Sequence, residues 1–532
     1  MMRLKSTLTA LALGLAIPLA LSAKEIRNPI IWADVPDVSI LRVGKTYYMS
    51  STTMHMIPGV PIMKSNNLVD WKLCSYAYDI LADKDETNLE NGKNSYGQGS
   101  WASSLRYHDG KFYLSTFAYT SGKTHIFSTD KPESGKWEEK SFSPAFHDSS
   151  LVFDDDGKKY LVCGGGNIRL IELKDDLSGV KEGGVNKIII ENAQSVTGTK
   201  EGLPAEGAQV FKVNGKYYIF FICWPPTTGM RTAIVYKSDK IDGPYEGRIA
   251  IKDKGVAQGG IVNTPDGKWY GMFFRDSGAV GRMPYLVQMT WKDGWPVFGD
   301  DGIVAMTMEM KGEQSSIPDC VTSDDFKRRK GDKLLPLQWQ WNHNPNNDAW
   351  SLTKRPGFLR LATFRIDEDF LQVKNMLTQR TFGPEASASV KIDVSKMKDG
   401  DIAGLGLLQK KYATLAVKMV GNKKFIVNQQ ITKIGDKGNP DTLEESEQIP
   451  LKTKDVYFKI DCDFKNQTDK AYFYYSTDGK NWNPIGQTFQ MVYTLPHFMG
   501  YRFALFNYAT KAPGGYVDFD YFKLGDSVGQ DN

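Results

Sequence analysis

The sequence predicts an all-β protein in which a five-bladed β-propeller is followed by a β-sandwich. A glycine-centred hairpin pattern recurs in the first half of the chain, and strand-like alternation with no competing helical period fills the second half. A polar stretch separates the two halves. We therefore expect a propeller over residues 24–311, a linker over 312–335 and a sandwich over 336–526.

The first 23 residues differ in composition from the rest of the chain. Arg3 and Lys5 precede an apolar run from Leu8 to Leu21, and a small Ser-Ala pair follows. This order is typical of a cleaved secretory signal peptide, with a permanent membrane anchor as the alternative. We expect an exported protein, periplasmic or extracellular, that has no membrane attachment after cleavage.

The charge balance argues against two classes of partner. The chain has 66 Lys and Arg residues against 62 Asp and Glu residues, and no basic stripe runs along it. Nucleic acids and anionic membrane surfaces are therefore not expected partners. The sequence does not indicate an oligomeric state.

The propeller is predicted from a hairpin that returns five times. An aromatic or β-branched strand follows each turn glycine, and the copies are RVGKTYYMSS at Gly44, HDGKFYLSTF at Gly110, DDGKKYLVCG at Gly157, VNGKYYIFFI at Gly215 and PDGKWYGMFF at Gly267. The glycine suits the positive φ of a tight turn. A single sheet of about four strands cannot bury its own faces, so we expect the units to pack radially as blades. A two-sheet sandwich is the alternative.

The repeat also aligns the residues at the start of each innermost strand. Counting back from the turn places five residues at one expected position beside the channel mouth: Asp37, Trp101, Asp148, Glu206 and Gln258. Three of them are carboxylic acids, with no Lys or Arg in the same register. Crowded like charges are costly, so we expect a function for them, either as a metal cage or as a general acid and base. Glycoside hydrolysis requires one protonated and one ionised carboxyl group.

Four segments together carry a family resemblance: VPDVSI, HDSSLVFDDDGKKYLVCGG, PAEGAQVFKVNGKYYIFF and GRMPYLVQMTWKDGWPVFGDDG. They resemble glycoside hydrolase family 43, whose five-bladed propeller enzymes remove xylose or arabinose units from plant cell-wall polysaccharides. The resemblance implies that Asp37 is the general base that activates water and that Glu206 is the general acid. It implies that Asp148 orients the acid and holds its pKa up, and that hydrolysis inverts the anomeric carbon.

The resemblance extends to three further positions around the expected pocket. Arg282, in GRMPYL, resembles an arginine that family members point at the sugar in the deepest subsite. Trp101 is expected to wall the pocket, with a core role as the alternative. Gln258 stands where several family members have a histidine associated with a calcium ion, which puts a central metal ion in doubt. No cofactor is expected to be required.

The second half resembles the concanavalin-like sandwich of a branch of the same family, most clearly in LQWQWNHNPNNDAWSLTKRPGFLRLAT. In relatives this domain packs on the propeller and lends a loop to the pocket rim. The segment WNHNPNND is the candidate loop here, with His343 as a candidate sugar contact. Asp518 and Asp520, in VDFDYF, are candidates for holding a structural calcium ion.

The expected activity is exo-acting release of a terminal pentose from an oligosaccharide or polysaccharide. The two-domain form and the segment STTMHMIPGVPI resemble the family branch rich in arabinofuranosidases, so release of α-L-arabinofuranose from hemicellulose or pectin side chains is the main hypothesis. The alternatives are a β-D-xylosidase acting on xylo-oligosaccharides, an endo-acting arabinanase and a non-catalytic glycan-binding protein. Three clustered acids argue against the last of these.

Overall fold

A computed structural model describes residues 24–436 and 439–529 of the chain. The predicted signal peptide, residues 1–23, lies outside the described residues. These residues form five four-stranded sheets, two sheets of nine and eight strands, and one two-stranded sheet. Among them, the α-helix Asp85–Asn88 is a single turn, and no helix has the length and hydropathy needed to cross a bilayer. The predicted all-β fold class is confirmed.

Each propeller blade is a four-stranded antiparallel sheet whose strands follow the order of the chain. Blade one contains Ser39–Val43, Thr46–Ser50, Gly59–Ser65 and Lys72–Tyr78, and blade two contains Ser104–His108, Lys111–Ala118, Lys123–Thr129 and Glu138–Phe142. Blade three contains Ser150–Phe153, Lys159–Cys163, Ile168–Leu173 and Asn186–Ile190, and blade four contains Leu203–Val213, Lys216–Trp224, Thr232–Ser238 and Glu246–Ile251. Blade five contains Ala257–Asn263, Trp269–Asp276, Arg282–Lys292 and Trp295–Phe298. The innermost strands contact one another in cyclic order, and blade five returns to blade one.

The second strand of blade four shows why the repeated hairpin needs neighbours. Phe220 and Ile222 pack in a core cluster with blade five, whereas Phe221 and Cys223 pack in a cluster with blade three. Because successive side chains point to opposite faces of a strand, both faces of this blade are apolar and both must be covered. Outside the blades, the strand Lys24–Arg27 pairs with Thr307–Met310 and joins the two ends of the propeller.

The sandwich consists of the two larger sheets. The first has the strand order Thr442–Glu445, Lys423–Lys433, Ala413–Val420, Asp401–Leu408, Arg502–Ala509, Leu377–Arg380, Gln340–Asn342 and Met56–Ile57, with Ile449–Leu451 also paired to Lys423–Lys433. The second has the order Trp350–Ser351, Leu359–Ala362, Tyr516–Gly525, Glu385–Lys396, Asp455–Asp463, Lys470–Ser476 and Asn483–Pro484, with Phe489–Gln490 paired to Lys470–Ser476.

The two domains share one of these sheets. The last strand of the first sheet, Met56–Ile57, comes from blade one of the propeller and pairs with Gln340–Asn342, so that Ile57 lies opposite Trp341. This pairing fixes the sandwich against the side of blade one.

The predicted linker is a separate connection only in part. The backbone of Asp324 exchanges two hydrogen bonds with Phe522, each 2.8 Å long, and Phe326 is fully buried. The apolar side chain of Phe326 anchors the segment although its neighbours in sequence are charged. Residues from about Asp324 onwards therefore belong to the sandwich, which begins earlier than the predicted residue 336.

The calcium candidates in the sandwich are paired with cationic side chains. Arg360 donates to both oxygens of Asp518, at 2.7 and 2.8 Å, and Lys391 donates to Asp520 at 2.9 Å. A carboxylate held by a guanidinium group is already neutralised and hydrogen-bonded. The structure therefore does not support a calcium site at this pair of aspartates.

Candidate active site

The mouth of the propeller channel is shaped by residues that precede the innermost strands. Asp37 and Asp148 stand two residues before Ser39 and Ser150, the serines whose hydroxyl oxygens accept a hydrogen bond from a backbone N–H in the innermost strand of another blade, at 3.0 and 3.1 Å. Both aspartates have a positive φ, 53° and 47°, and so does Gln258 at 47°. Positive φ is uncommon outside glycine, and here it turns the chain at or just before the start of the innermost strand. These three residues share the predicted position.

Glu206 and Trp101 lie one residue earlier than predicted. Trp101 stands three residues before Ser104, and in blade four the positive φ of the shared position, 72°, belongs to Gly207. The register of this strand shifts on both sides of Glu206. A bulge adds one residue to the strand but leaves the pattern of apolar side chains unchanged. A register counted from the turn glycine therefore places Glu206 one residue away from its real position.

Asp37 forms a buried ion pair with Arg282. Nη1 of Arg282 donates to Oδ1 of Asp37 at 2.7 Å, and the two side chains are 3% and 5% exposed. Burial raises the pKa of Asp37 to about 6, although the charge of Arg282 opposes this shift. The guanidinium also lies over the rings of Phe274 and Phe498, 5.1 and 4.6 Å from their centroids. Asp37 is therefore an anion at neutral pH that can accept a proton.

A second group of side chains lies close enough to this ion pair for their charges to interact. Nε2 of His147 is 3.0 Å from Oε2 of Glu206 and 3.7 Å from Oδ2 of Asp148. Burial, together with the charges of Glu206 and Asp37, raises the pKa of Asp148 to about 7, against the lowering effect of His147. The three predicted acids are therefore close enough for their charges to affect one another. They form two groups: Asp37 is paired with Arg282, whereas Asp148 and Glu206 lie beside His147.

Asp148 is expected to destabilise the folded protein at alkaline pH. A carboxyl group whose pKa is raised on folding favours the fold while it is protonated and opposes it once pH rises through the folded value, here about 7. Asp148→Asn should therefore increase the free energy of unfolding at pH 8 by about 2 kcal/mol and leave it unchanged near pH 4. Thermal unfolding followed by circular dichroism at the two pH values measures this. Equal midpoints for both proteins at pH 8 would contradict it.

The group of His147, Asp148 and Glu206 has the donor set of a metal site. One ligand atom from each residue lies within 4.8 Å of the others. However, the hydrogen bond to Glu206 and the charges of both carboxylates raise the pKa of His147 to about 9, against the effect of burial. A metal ion bound here would have to displace the proton of this imidazole. The group therefore fits an acid-base cluster better than a metal centre.

The sandwich contributes a wall of the site through Phe498, which sequence reasoning missed. Its ring stacks on Trp101 with centroids 5.2 Å apart and planes 20° apart. Its carbonyl oxygen accepts a hydrogen bond from Nη2 of Arg282 at 3.4 Å. A loop of the sandwich therefore contacts both Trp101 and Arg282, and the role of Trp101 as a pocket wall stays a prediction.

The predicted rim loop, WNHNPNND, lies elsewhere. His343 is only 1% exposed, and its Nε2 accepts a hydrogen bond from the backbone N–H of Ser95 at 3.0 Å. Its ring packs against His55 and Tyr96, each with a centroid distance of 4.7 Å. The neighbouring strand pairs with blade one, and this turns the loop into the contact between the domains. A buried ring of this kind offers no surface to a sugar, so the prediction for His343 is not supported.

Several buried polar atoms around the mouth have no protein partner among the described residues. They include Oδ1 of Asp148, Nε of Arg282, the hydroxyl of the adjacent Ser149 and the hydroxyl of Tyr493. The Tyr493 hydroxyl is close enough to Arg282 and Asp37 for their charges to affect its pKa. Buried polar groups normally find partners, so this arrangement suits a ligand that carries several hydroxyl groups.

His147 is the second residue that sequence reasoning missed. A signal for it was present, because it directly precedes Asp148 in the segment HDSSL. Phe498, by contrast, lies in the irregular segment TLPHFMG, where no periodic pattern marks it. The candidate site therefore comprises two charged groups and one aromatic pair: Asp37 with Arg282, His147 with Asp148 and Glu206, and Trp101 with Phe498.

Comparisons with known proteins cover both domains. The family model described as glycosyl hydrolases family 43 matches residues 26–296, and a model described as a β-xylosidase C-terminal concanavalin A-like domain matches residues 323–524. A β-xylosidase of Formosa agariphila is 30% identical, over 93% of this chain and 89% of its own. A non-reducing end α-L-arabinofuranosidase of Bacteroides ovatus is 27% identical, over 76% of this chain and 78% of its own.

A solved structure agrees closely with the fold. The bifunctional GH43-CE protein of Bacteroides eggerthii is 57% identical and superposes with a TM-score of 0.92 over 95% of this chain. This chain spans 64% of the length of that protein. The family match, the five blades with their clustered acids and the C-terminal sandwich lead to one conclusion: the chain belongs to glycoside hydrolase family 43 and is a hydrolase that acts on carbohydrate.

Proposed function

We propose that the protein is an exo-acting, inverting β-D-xylosidase that releases xylose from the non-reducing ends of xylo-oligosaccharides. The observation that carries this proposal is that the carboxyl groups of Asp37 and Glu206 have different partners. Asp37 is ion-paired with Arg282, whereas Glu206 is hydrogen-bonded to His147 beside Asp148. Inverting hydrolysis requires one ionised carboxyl group and one carboxyl group that delivers a proton to the leaving oxygen.

Each carboxyl group has one task in this mechanism. Asp37 accepts a proton from the water that attacks the anomeric carbon, and Glu206 protonates the oxygen of the leaving sugar. Inversion requires the base and acid to be roughly 6.5 to 9.5 Å apart, so that the water fits between base and sugar. Asp148, buried beside the acid, keeps a proton near neutral pH and limits the negative charge around Glu206.

The contact between Phe498 and Trp101 supports exo action. A loop of the sandwich stands against the propeller mouth here and touches Arg282 as well. A mouth closed on one side suits a chain end, whereas an endo-acting arabinanase needs a groove that is open at both ends. The unpaired hydroxyls nearby suit a single enclosed pentose.

The choice of sugar rests on the relatives. The Formosa agariphila enzyme is named a β-xylosidase, and so is the domain model that matches the sandwich. The arabinofuranosidase hypothesis drawn from the sequence has less support than the xylosidase one. It stays the second candidate because the Bacteroides ovatus relative is named a non-reducing end α-L-arabinofuranosidase.

The test uses the full chain with xylotriose, 4-nitrophenyl β-D-xylopyranoside and 4-nitrophenyl α-L-arabinofuranoside. We expect faster hydrolysis of the xyloside, xylose as the first product from xylotriose, and initial release of the α-anomer in proton NMR. Faster hydrolysis of the arabinofuranoside would favour the second candidate. Release from none of the three at high enzyme concentration, with Asp37→Asn as the blank, would refute both.

Activity is expected to fall on the acid side below about pH 6. Asp37 acts as a base only when ionised, and burial raises its pKa to about 6. The value of kcat/KM for the xyloside should therefore drop about tenfold per pH unit below that value. Initial rates from pH 4 to 8 measure this, with circular dichroism as a check that the fold persists. An acid limb that begins below pH 5 would contradict the assignment.

A further inference from the structure

His147 is a titratable side chain at the acid for which the mechanism above has no role. Its Nε2 is 3.0 Å from Oε2 of Glu206, and its Nδ1 is 2.9 Å from the hydroxyl of Tyr119. The ring is held between the aromatic side chains of Phe117 and Trp101, at centroid distances of 5.2 and 6.0 Å. Both ring nitrogens are thus engaged, one by the acid and one by a hydroxyl.

His147 also connects the acid with solvent. The side chains of Glu206 and His147 are 23% and 27% exposed, and Tyr119 is 44% exposed. Asp37, in contrast, is almost fully buried and has an arginine as its partner. An inverting enzyme finishes each turnover with a protonated base and a deprotonated acid, so a proton must return to Glu206 before the next cycle.

We propose that His147 shares the acid proton with Glu206 and returns it after each turnover, which makes His147 the positioning residue and proton partner of the general acid. This inference rests on the proposed function. In the resting pair, Nε2 of His147 carries the proton and donates its hydrogen bond to Oε2 of Glu206. Tyr119 accepts from Nδ1–H and holds the orientation of the ring.

The proton balance of the cycle is closed. As the glycosidic C–O bond breaks, the proton on Nε2 passes to Glu206 and from there to the leaving oxygen, while Asp37 takes a proton from the attacking water. The imidazole is left neutral, with its remaining proton on Nδ1. Solvent then protonates Nε2 again, and Asp37 releases its proton to solvent, so one proton enters and one leaves.

The groups that face His147 support this role. They are Glu206 and Asp148, both acidic, together with Tyr119 and the rings of Phe117 and Trp101. The two carboxylates raise the pKa of His147 to about 9, so the pair retains its proton through neutral pH. Carboxyl groups alone lose protons at lower pH than an imidazole in such surroundings.

The first test compares leaving groups in His147→Gln. The glutamine amide can still donate to Glu206 but cannot titrate, so it preserves position and removes the proton. We expect kcat on xylobiose to fall about 100-fold and kcat on 4-nitrophenyl β-D-xylopyranoside less than about 5-fold, because nitrophenolate needs little protonation. The basic limb of the pH profile for xylobiose should move down by about one unit or more.

The matched control is His125→Gln. Buried His125 also contacts a glutamate, with Nδ1 2.7 Å from Oε1 of Glu139, but it lies on the third strand of blade two and is not among the groups around the acids. It should leave both rates and the pH profile unchanged. Equal losses on the two substrates in His147→Gln, or an unmoved basic limb, would overturn the inference and leave His147 a structural residue.

The second test needs no activity, so it separates failure of this inference from failure of the proposed function. The ring protons of His147, assigned by their absence in His147→Gln, are followed by NMR from pH 5 to 10. We expect titration near pH 9 in the native protein and at least one unit lower in Glu206→Gln. Titration near 6.5, or no change in Glu206→Gln, would refute the shared proton even in a protein that hydrolyses none of the substrates.

Discussion

Replacing Asp37 by asparagine is expected to reduce kcat/KM by about 1,000-fold or more, on aryl xylosides and xylo-oligosaccharides alike. Asparagine keeps the shape of the side chain and can still accept the hydrogen bond from Arg282, so the pocket should survive. It cannot take a proton from water. Because attack by water is needed whatever the leaving group, the loss should be similar for all substrates.

Asp109→Asn is the matched control for this change. Asp109 lies in the hairpin turn of blade two with a side chain that is 86% exposed, and its φ of 48° is tolerated by asparagine. Initial rates of the two variants on 4-nitrophenyl β-D-xylopyranoside and xylobiose decide the matter. Activity of Asp37→Asn within tenfold of the native enzyme would exclude Asp37 as the base.

Replacing Glu206 by alanine is expected to have an effect that depends on the leaving group. On xylobiose, whose departing oxygen is a poor leaving group without a proton, kcat should fall about 1,000-fold. On 4-nitrophenyl β-D-xylopyranoside the loss should be only about tenfold, because nitrophenolate departs without assistance. The ratio of the two losses distinguishes an acid from a residue that only supports the fold.

Glu201→Ala serves as the control in the same segment of blade four. Glu201 is exposed and lies just before the strand that carries Glu206, so it tests the local effect of losing a glutamate. Both rates should stay close to native in this variant. A uniform loss on both substrates in Glu206→Ala would assign the acid role to another group, with Asp148 as the nearest carboxyl.

The clustering of the acids could be predicted from the sequence because the repeat itself carries the information. Asp37 and Asp148 precede equivalent strands of different blades, so a register read from the turns was enough to bring them together. Glu206 was selected by the same comparison, but its backbone position was wrong by one residue. The bulge at Gly207 depends on how the strand pairs with its neighbour, and the apolar pattern is the same with or without it.

Contacts between the domains were less predictable. The family resemblance implied that a loop of the sandwich reaches the pocket rim, but His343 is buried, and Phe498 is the sandwich residue that stacks on Trp101. Neither residue lies in a repeat. Their positions depend on how the sandwich packs against the propeller, and the strand pattern within each domain does not encode this packing. His147 differs from them, because its place next to Asp148 in the chain already fixed it near the acids.

Because of the strand Met56–Ile57, we expect that neither domain can be replaced on its own by the corresponding domain of a relative. Blade one supplies the edge strand of one sandwich sheet. The sandwich in turn supplies Phe498, whose ring covers the guanidinium group of Arg282. Cutting the chain between the domains would leave an unpaired sheet edge on one fragment and an uncovered guanidinium on the other. A chimera with the sandwich of a relative would therefore need the matching loop of that relative's blade one, and the two parts are expected to change together in evolution.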